Sequence, residues 1–155
     1  MRDKILIFGN SGAGKSTLAK RLSEDRGLTH LDLDSVSWQS PAVRLPVAES
    51  MLLIEQFMAD NPAWVIEGCY GYLLEAVSAY CSEMIFLNPD LETCLRHNQH
   101  RPWEPHKYPD KSAQDKNLAM LQAWVKGYYQ RDDEYSLSYH QKVYAAFAGT
   151  KKEIN

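Results

Sequence analysis

Residues 9 to 16 read Gly-Asn-Ser-Gly-Ala-Gly-Lys-Ser and satisfy the phosphate-loop pattern G-x-x-x-x-G-K-[ST] through Gly9, Gly14, Lys15 and Ser16. A polyphosphate needs backbone N–H groups turned inward around it, and Gly9, Gly12 and Gly14 permit so tight a turn. Asn10, Ser11, Ala13 and Thr17 complete the expected nucleotide-binding stretch. Lys15 brings a point charge for the β- and γ-phosphates, and the Ser16 hydroxyl offers a ligand to Mg2+. The ligand expected from this set is a nucleoside triphosphate with Mg2+.

Three acids could complete that chemistry. In Asp32-Leu33-Asp34 the carboxylates alternate, so on an extended segment they share a face. One reading sets Asp32 near the metal and lets Asp34 orient an acceptor hydroxyl and take its proton. The other makes both solvated turn or cap aspartates. Glu67 closes the apolar run Trp64-Val65-Ile66 and could hold a metal-bound water, or be an exposed turn residue. Gly68 would let the backbone pass close to a ligand.

The elements that must position these groups follow from pattern. Ile5 to Phe8 is a short apolar run of the buried parallel-strand kind, followed by the loop and by Leu18, Ala19 and Leu22 at helical spacing, with Gly27 as the stop. The helix N-terminus then points its dipole at the phosphates. A second strand is expected at 28–32, a loop over 35–46 that includes Pro41, and a helix opened by Pro46 and running to about Ala59. A strand at 64–68, a helix at about 71–80 and a strand at 84–87 come next. Asn88 and Pro89 should cap a helix running towards His100, and Ser112 with Asp115 resembles a capping box for another. Asp132 and Asp133 should open the last helix, Gly149 stop it, and 151–154 form a short final strand.

Between these helices lies a basic segment. Residues 96 to 107 carry Arg96, Arg101, Lys107, His97, His100 and His106 against Glu104, broken by prolines at 102 and 105. A cationic loop over about 99–112 is what a phosphoryl-transfer enzyme closes over its phosphates, with Arg101 and then Arg96 as the candidates for stabilising transition-state charge. The bland alternative is a solvated basic loop. Trp38 could stack on a substrate ring or pack, Arg44 could clamp a phosphate or carboxylate or lie at the surface, and Tyr70 could line the cleft or the core. Cys94, His97 and His100 share a helical face, but no fourth ligand stands at zinc spacing.

Composition bounds the rest. The chain has 155 residues, 45% hydrophobic and 24% charged, with a formal charge of -3, which suits one α/β domain over 1–155 and argues against a general nucleic-acid binder. The opening apolar run is too short for a membrane span. Cys69, Cys81 and Cys94 form no C-x-x-C pair and read as reduced thiols of a cytoplasmic protein, monomer or homodimer.

Taken together, the order of elements resembles that of small P-loop kinases of the adenylate kinase and shikimate kinase kind. It looks nearest the bacterial adenylate-kinase-like proteins labelled DNA topology modulation proteins. The carriers are Gly9 to Ser16, His30-Leu31-Asp32, Trp64 to Tyr70, and Arg131 to Leu137. The resemblance implies a three-layer P-loop fold with a five-stranded parallel sheet in the order 2-3-1-4-5. It also implies transfer of the ATP γ-phosphoryl group to a nucleotide, nucleoside or hydroxylated metabolite. Shikimate kinases carry Gly-Gly-Gly where Glu67-Gly68-Cys69 stands here, and the arginine that nucleoside monophosphate kinases use on the acceptor phosphate is missing. The rival reading is a nucleotide-dependent binding or regulatory ATPase with slow hydrolysis.

Overall fold

In a computed structural model of the chain, residues 2–40, 43–105 and 107–155 are described. Pro41 and His106 lie outside them. The order is β1 (Lys4–Gly9), α1 (Lys15–Arg26), β2 (Thr29–Asp32), a 3-10 turn (Leu33–Val36), β3 (Trp38–Ser40), β4 (Val43–Arg44) and α2 (Val47–Asp60). It continues with β5 (Trp64–Gly68), α3 (Gly71–Ser78), β6 (Glu83–Leu87), α4 (Leu91–Gln99), α5 (Lys111–Lys126), a 3-10 turn (Gly127–Tyr129), α6 (Leu137–Ala146) and β7 (Thr150–Ile154).

Five strands form one sheet in the order β2-β5-β1-β6-β7, every pair parallel. Numbered among themselves, these strands run 2-3-1-4-5. Because β1 is central and covered on both sides, Ile5, Leu6, Ile7 and Phe8 are all fully buried and show no polar alternation. Ile5 and Ile7 face a core completed by Ala19 of α1, Cys94 of α4 and Val125 of α5. Leu6 and Phe8 face the opposite core, with Ile54 of α2, Leu73 and Val77 of α3, and Val143 of α6. Two helical layers on one parallel sheet put all five strand ends on a common edge.

Several boundaries differ from expectation, each for a local reason. Residues 35–46 are not plain loop: the short antiparallel hairpin β3–β4 sits there, too brief to register as alternation. Asp90, not Asn88, caps α4, accepting from the Thr93 amide at 2.8 Å. Asp110, rather than Ser112, caps α5 through the Ala113 amide, and Ser136 caps α6 through Tyr139, so that helix starts four residues after Asp133. In each case a side-chain oxygen at the true cap meets a free amide of the first turn. Helix α6 ends at Ala146, before Gly149.

Candidate active site at the carboxyl edge of the sheet

The phosphate loop is built mostly from its own backbone. Gly12 has φ 83° and Gly14, the N-cap of α1, φ 96°, both in the left-handed region that disfavours a side chain. Asn10 is buried; its Oδ1 accepts from the Ser11 amide at 2.8 Å and its Nδ2 donates to the Val125 carbonyl at 3.3 Å. Lys15 Nζ donates to the Asn10 carbonyl at 2.7 Å, and the Ala13 amide reaches the same carbonyl at 3.1 Å. Thr17 is exposed in the first turn of α1. Helix α4 lies against the loop: His97 Nδ1 is 2.7 Å from the Gly12 carbonyl, and Ser11 Oγ donates to Asn98 Oδ1 at 3.3 Å. A carbonyl only accepts, so His97 carries its proton on Nδ1 in this contact. A Cβ on Gly12 would run into the Cys94 carbonyl.

Beside the loop, register makes acids neighbours. Asp32 on β2 lies opposite Glu67 on β5. Glu67 is 2% exposed, and its Oε2 accepts from Ser16 Oγ at 2.7 Å and stands 3.0 Å from His30 Nε2. That hydrogen bond to Glu67 outweighs burial and raises the His30 pKa. Burial, then repulsion from Glu67 and Asp34, pushes the Asp32 carboxyl up to about 6. Asp32 and Asp34 do not share an extended face as expected. The chain turns at Leu33–Val36, and Asp32 Oδ1 caps that turn by accepting from the Asp34 amide at 2.9 Å.

Asp34 meets two donors. Its Oδ1 accepts from the Tyr70 hydroxyl, and Lys107 Nζ lies 2.8 Å from Oδ2. Burial opposes the charge, yet Lys107, Tyr70 and the more distant Lys15 hold the Asp34 carboxyl below its ordinary range. The acids suit Mg2+ in kind: hard oxygen donors beside a hydroxyl, with repulsion between Asp32 and Glu67 that a cation relieves. Among the described residues no three His, Cys, Asp or Glu side chains enclose a metal. Mg2+ on a nucleotide needs only one or two protein carboxylates, because phosphates and waters supply the rest.

On the far side of Asp34 the wall is aromatic. Trp38 Nε1 donates to the Tyr70 hydroxyl at 3.0 Å, and Tyr70 meets Tyr135 edge to face at 5.7 Å. The Arg44 guanidinium lies over the Tyr70 ring at 4.5 Å, donates to the Tyr135 hydroxyl at 2.6 Å, and pairs with Glu134 at 3.8 Å. Thus Trp38 and Arg44 both rest on Tyr70, which in turn meets Asp34. Gly68 is not among these residues; it is buried, and a Cβ there would press on the Leu33 side chain, so its smallness serves packing under the 3-10 turn. Nor do the two arginines reach Asp34. Arg101 pairs with Glu104 at 3.6 Å, and Arg96 is exposed on α4. Lys107 takes that place: its amide donates to the Glu104 carbonyl at 3.0 Å, and Gln114 of α5 accepts from the Glu104 amide at 2.8 Å.

Two histidines were invisible as functional groups in the sequence. His30 sits where a strand residue looks ordinary. His140 is fully buried, with Nδ1 2.7 Å from the Tyr128 hydroxyl and Nε2 3.0 Å from the Cys69 carbonyl just ahead of Tyr70. Burial lowers its pKa to about 4. Its only sequence signal is helical spacing from Ser136. Two open concavities, of about 470 and 400 Å3, lie at the opposite, amino end of the strands; Arg26 in the larger is already paired with Asp3 and Glu83.

Solved structures share the fold. A shikimate kinase from Acinetobacter baumannii, in complex with shikimate, is 16% identical, with a TM-score of 0.57 over 100% of this chain and 85% of that one. What is shared is the fold, a five-stranded parallel sheet between helical layers. A sugar kinase from Janibacter gives 13% identity and 0.54 over 99% and 85%, and an uncharacterized protein from Eubacterium ventriosum 16% and 0.53 over 99% and 88%. No protein-family model matches the chain, and no curated protein matches it significantly. At these identities the likeness shows the architecture. No helix among the described residues is long and apolar enough to cross a membrane.

Proposed function

We propose that this chain is a kinase that transfers the γ-phosphoryl group of ATP to a hydroxyl of a small-molecule acceptor. The observation that carries the reading is Asp34: a carboxylate held ionised by Lys107 and Tyr70, within the field of Lys15, at the mouth of the phosphate loop. An ionised carboxylate there is a general base for a hydroxyl nucleophile. Each Asp34 oxygen accepts one bond in the structure, which leaves lone pairs for an acceptor hydroxyl.

In this mechanism the loop amides and Lys15 grip the β- and γ-phosphates. Mg2+, when bound, neutralises charge on the phosphates; Ser16, Asp32 and Glu67 would hold it, directly or through water. His30 fixes the Glu67 carboxylate from behind. The acceptor oxygen attacks the γ-phosphorus, the bond to the ADP oxygen breaks, and the hydroxyl proton passes to Asp34. Lys107, rather than Arg101 or Arg96, is the segment's cation at the reacting centre. We take residues 1–155 as one domain closed by residues 99–112, and its three free cysteines fit a reducing, cytoplasmic setting.

ADP release from ATP and Mg2+ against a panel of hydroxylated acceptors tests this. Lys15→Ala should lower acceptor-dependent release by about 10³-fold, as expected for losing a transition-state charge contact. Unchanged phosphorylation in that variant would sink the mechanism. ATP binding with slow, acceptor-independent hydrolysis alone would instead favour a nucleotide-responsive binding protein.

A further inference from the structure

Among the described residues, the cations of the acceptor cleft each face a carboxylate. Lys107 lies between Asp34 at 2.8 Å and Glu104 at 3.4 Å, and Arg101 shares Glu104 at 3.6 Å. Arg44 sets its face on the Tyr70 ring, donates one Nη to the Tyr135 hydroxyl and pairs its charge with Glu134, whose side chain is 11% exposed, while its buried Nε has no protein partner among the described residues. Further along the same aromatic row, Arg131 lies over Trp124 at 4.6 Å and pairs with Asp133 at 3.1 Å.

An acceptor bearing a carboxylate or phosphate needs a cation whose own counter-charge is water. Here it would have to displace Glu134 from Arg44 or Asp34 from Lys107, leaving a half-buried carboxylate without its partner. It would also bring a like charge beside Asp34 and Glu134. A neutral hydroxyl compound meets no such conflict. Asp34 can take its hydroxyl, and Trp38, 39% exposed with its Nε1 anchored on Tyr70, offers an apolar face.

We infer that the phosphate acceptor is an uncharged, hydroxyl-bearing small molecule, and that the Arg44–Glu134 pair is the element that turns anionic acceptors away. This rests on the phosphotransfer reading above. It departs from a carboxylate- or phosphate-gripping role for Arg44.

Matched pairs differing in one charge test it: a nucleoside and its monophosphate, a hexose and its aldonate, shikimate methyl ester and shikimate. For each pair, ADP release and calorimetric binding to the protein loaded with a non-hydrolysable ATP analogue and Mg2+ are measured. The neutral member should be favoured in kcat/KM and in affinity by at least about tenfold, since the anion must break an existing ion pair. Glu134→Gln, which keeps an acceptor for the Tyr72 amide that Glu134 Oε2 serves at 3.1 Å, should free Arg44 and move that ratio about tenfold towards the anion. Preference for anionic members, or a ratio that Glu134→Gln leaves unmoved, overturns the inference but spares the kinase. Neutral members that bind in preference but are never phosphorylated keep the cleft's selection against anions and sink the kinase reading. If no member of either kind binds, both fall.

Discussion

The loop over residues 9 to 17 and the proposed acceptor cleft around Asp34 are made in opposite ways. The loop is nine consecutive residues, 9 to 17, whose geometry is set by backbone and whose outside support is a few contacts from α4 and α5. The cleft is collected from the 3-10 turn after β2, the β3–β4 hairpin, Tyr70 after β5, the segment after α4 and the turn before α6. A contiguous site tolerates little change because each residue serves the fold and the ligand together. An assembled one depends on distant side chains that titrate and pair. The two should therefore fail differently.

Gly12→Ala should do the most damage. It combines a side chain at positive φ with a collision against the Cys94 carbonyl, at a cost of about 3 kcal/mol, and should abolish ATP binding. Chemical denaturation and nucleotide titration check it; a variant with normal affinity would show that the loop is more forgiving than its geometry.

The cleft should show its weakness in acid. Below its ordinary pKa of 6.5 the unfolded chain protonates His140, whereas the folded chain resists until about 4. Stability therefore falls across that window, by about 3 kcal/mol from this group. Asp32 acts with the opposite sign: folded, it takes a proton below about 6, unfolded only near 3.8, so acidification favours the folded state. The two nearly cancel. Asp32→Asn should uncover the steep His140 dependence, measured as denaturant midpoint against pH between 6.5 and 4. A flat profile in the variant would break the argument.

Lys107→Ala should lower turnover by about 30-fold with ATP binding kept, and Arg101→Ala by no more than about threefold, if the cleft's cation is the one seen on Asp34. Equal losses would place both in the reaction. Smallest of all, Asp32→Asn at pH 7 without Mg2+ should stabilise the protein by about 2 kcal/mol, by removing a buried charge and, with it, repulsion from Glu67 and Asp34. Saturating Mg2+ should erase that gain.

Legibility in the sequence follows the same division. The loop could be read because its requirement is local, and the central strands β1, β5 and β6 because a doubly covered sheet writes apolar runs, whereas the edge strands β2 and β7 are polar and partly exposed. Asp32, Asp34 and Glu67 could be nominated because they end such runs, although the capped turn that separates the two aspartates could not. The pairing of Lys107 with Asp34 spans 73 positions and depends on where the segment after Pro105 turns, which composition does not encode. Arg44 shows the limit on the cleft side. Its sequence suggested a free cation, and only the fold reveals Glu134 and Tyr135, about ninety residues later, closing around it. His140 was silent because a buried neutral histidine looks, in one dimension, like any helical residue.

The β3–β4 hairpin gives no strand to the main sheet, yet it carries Trp38 and Arg44. The ribbon can accordingly be exchanged without withdrawing a hydrogen-bonded strand from the five-stranded sheet, so what the cleft accepts is separable from the frame that carries it.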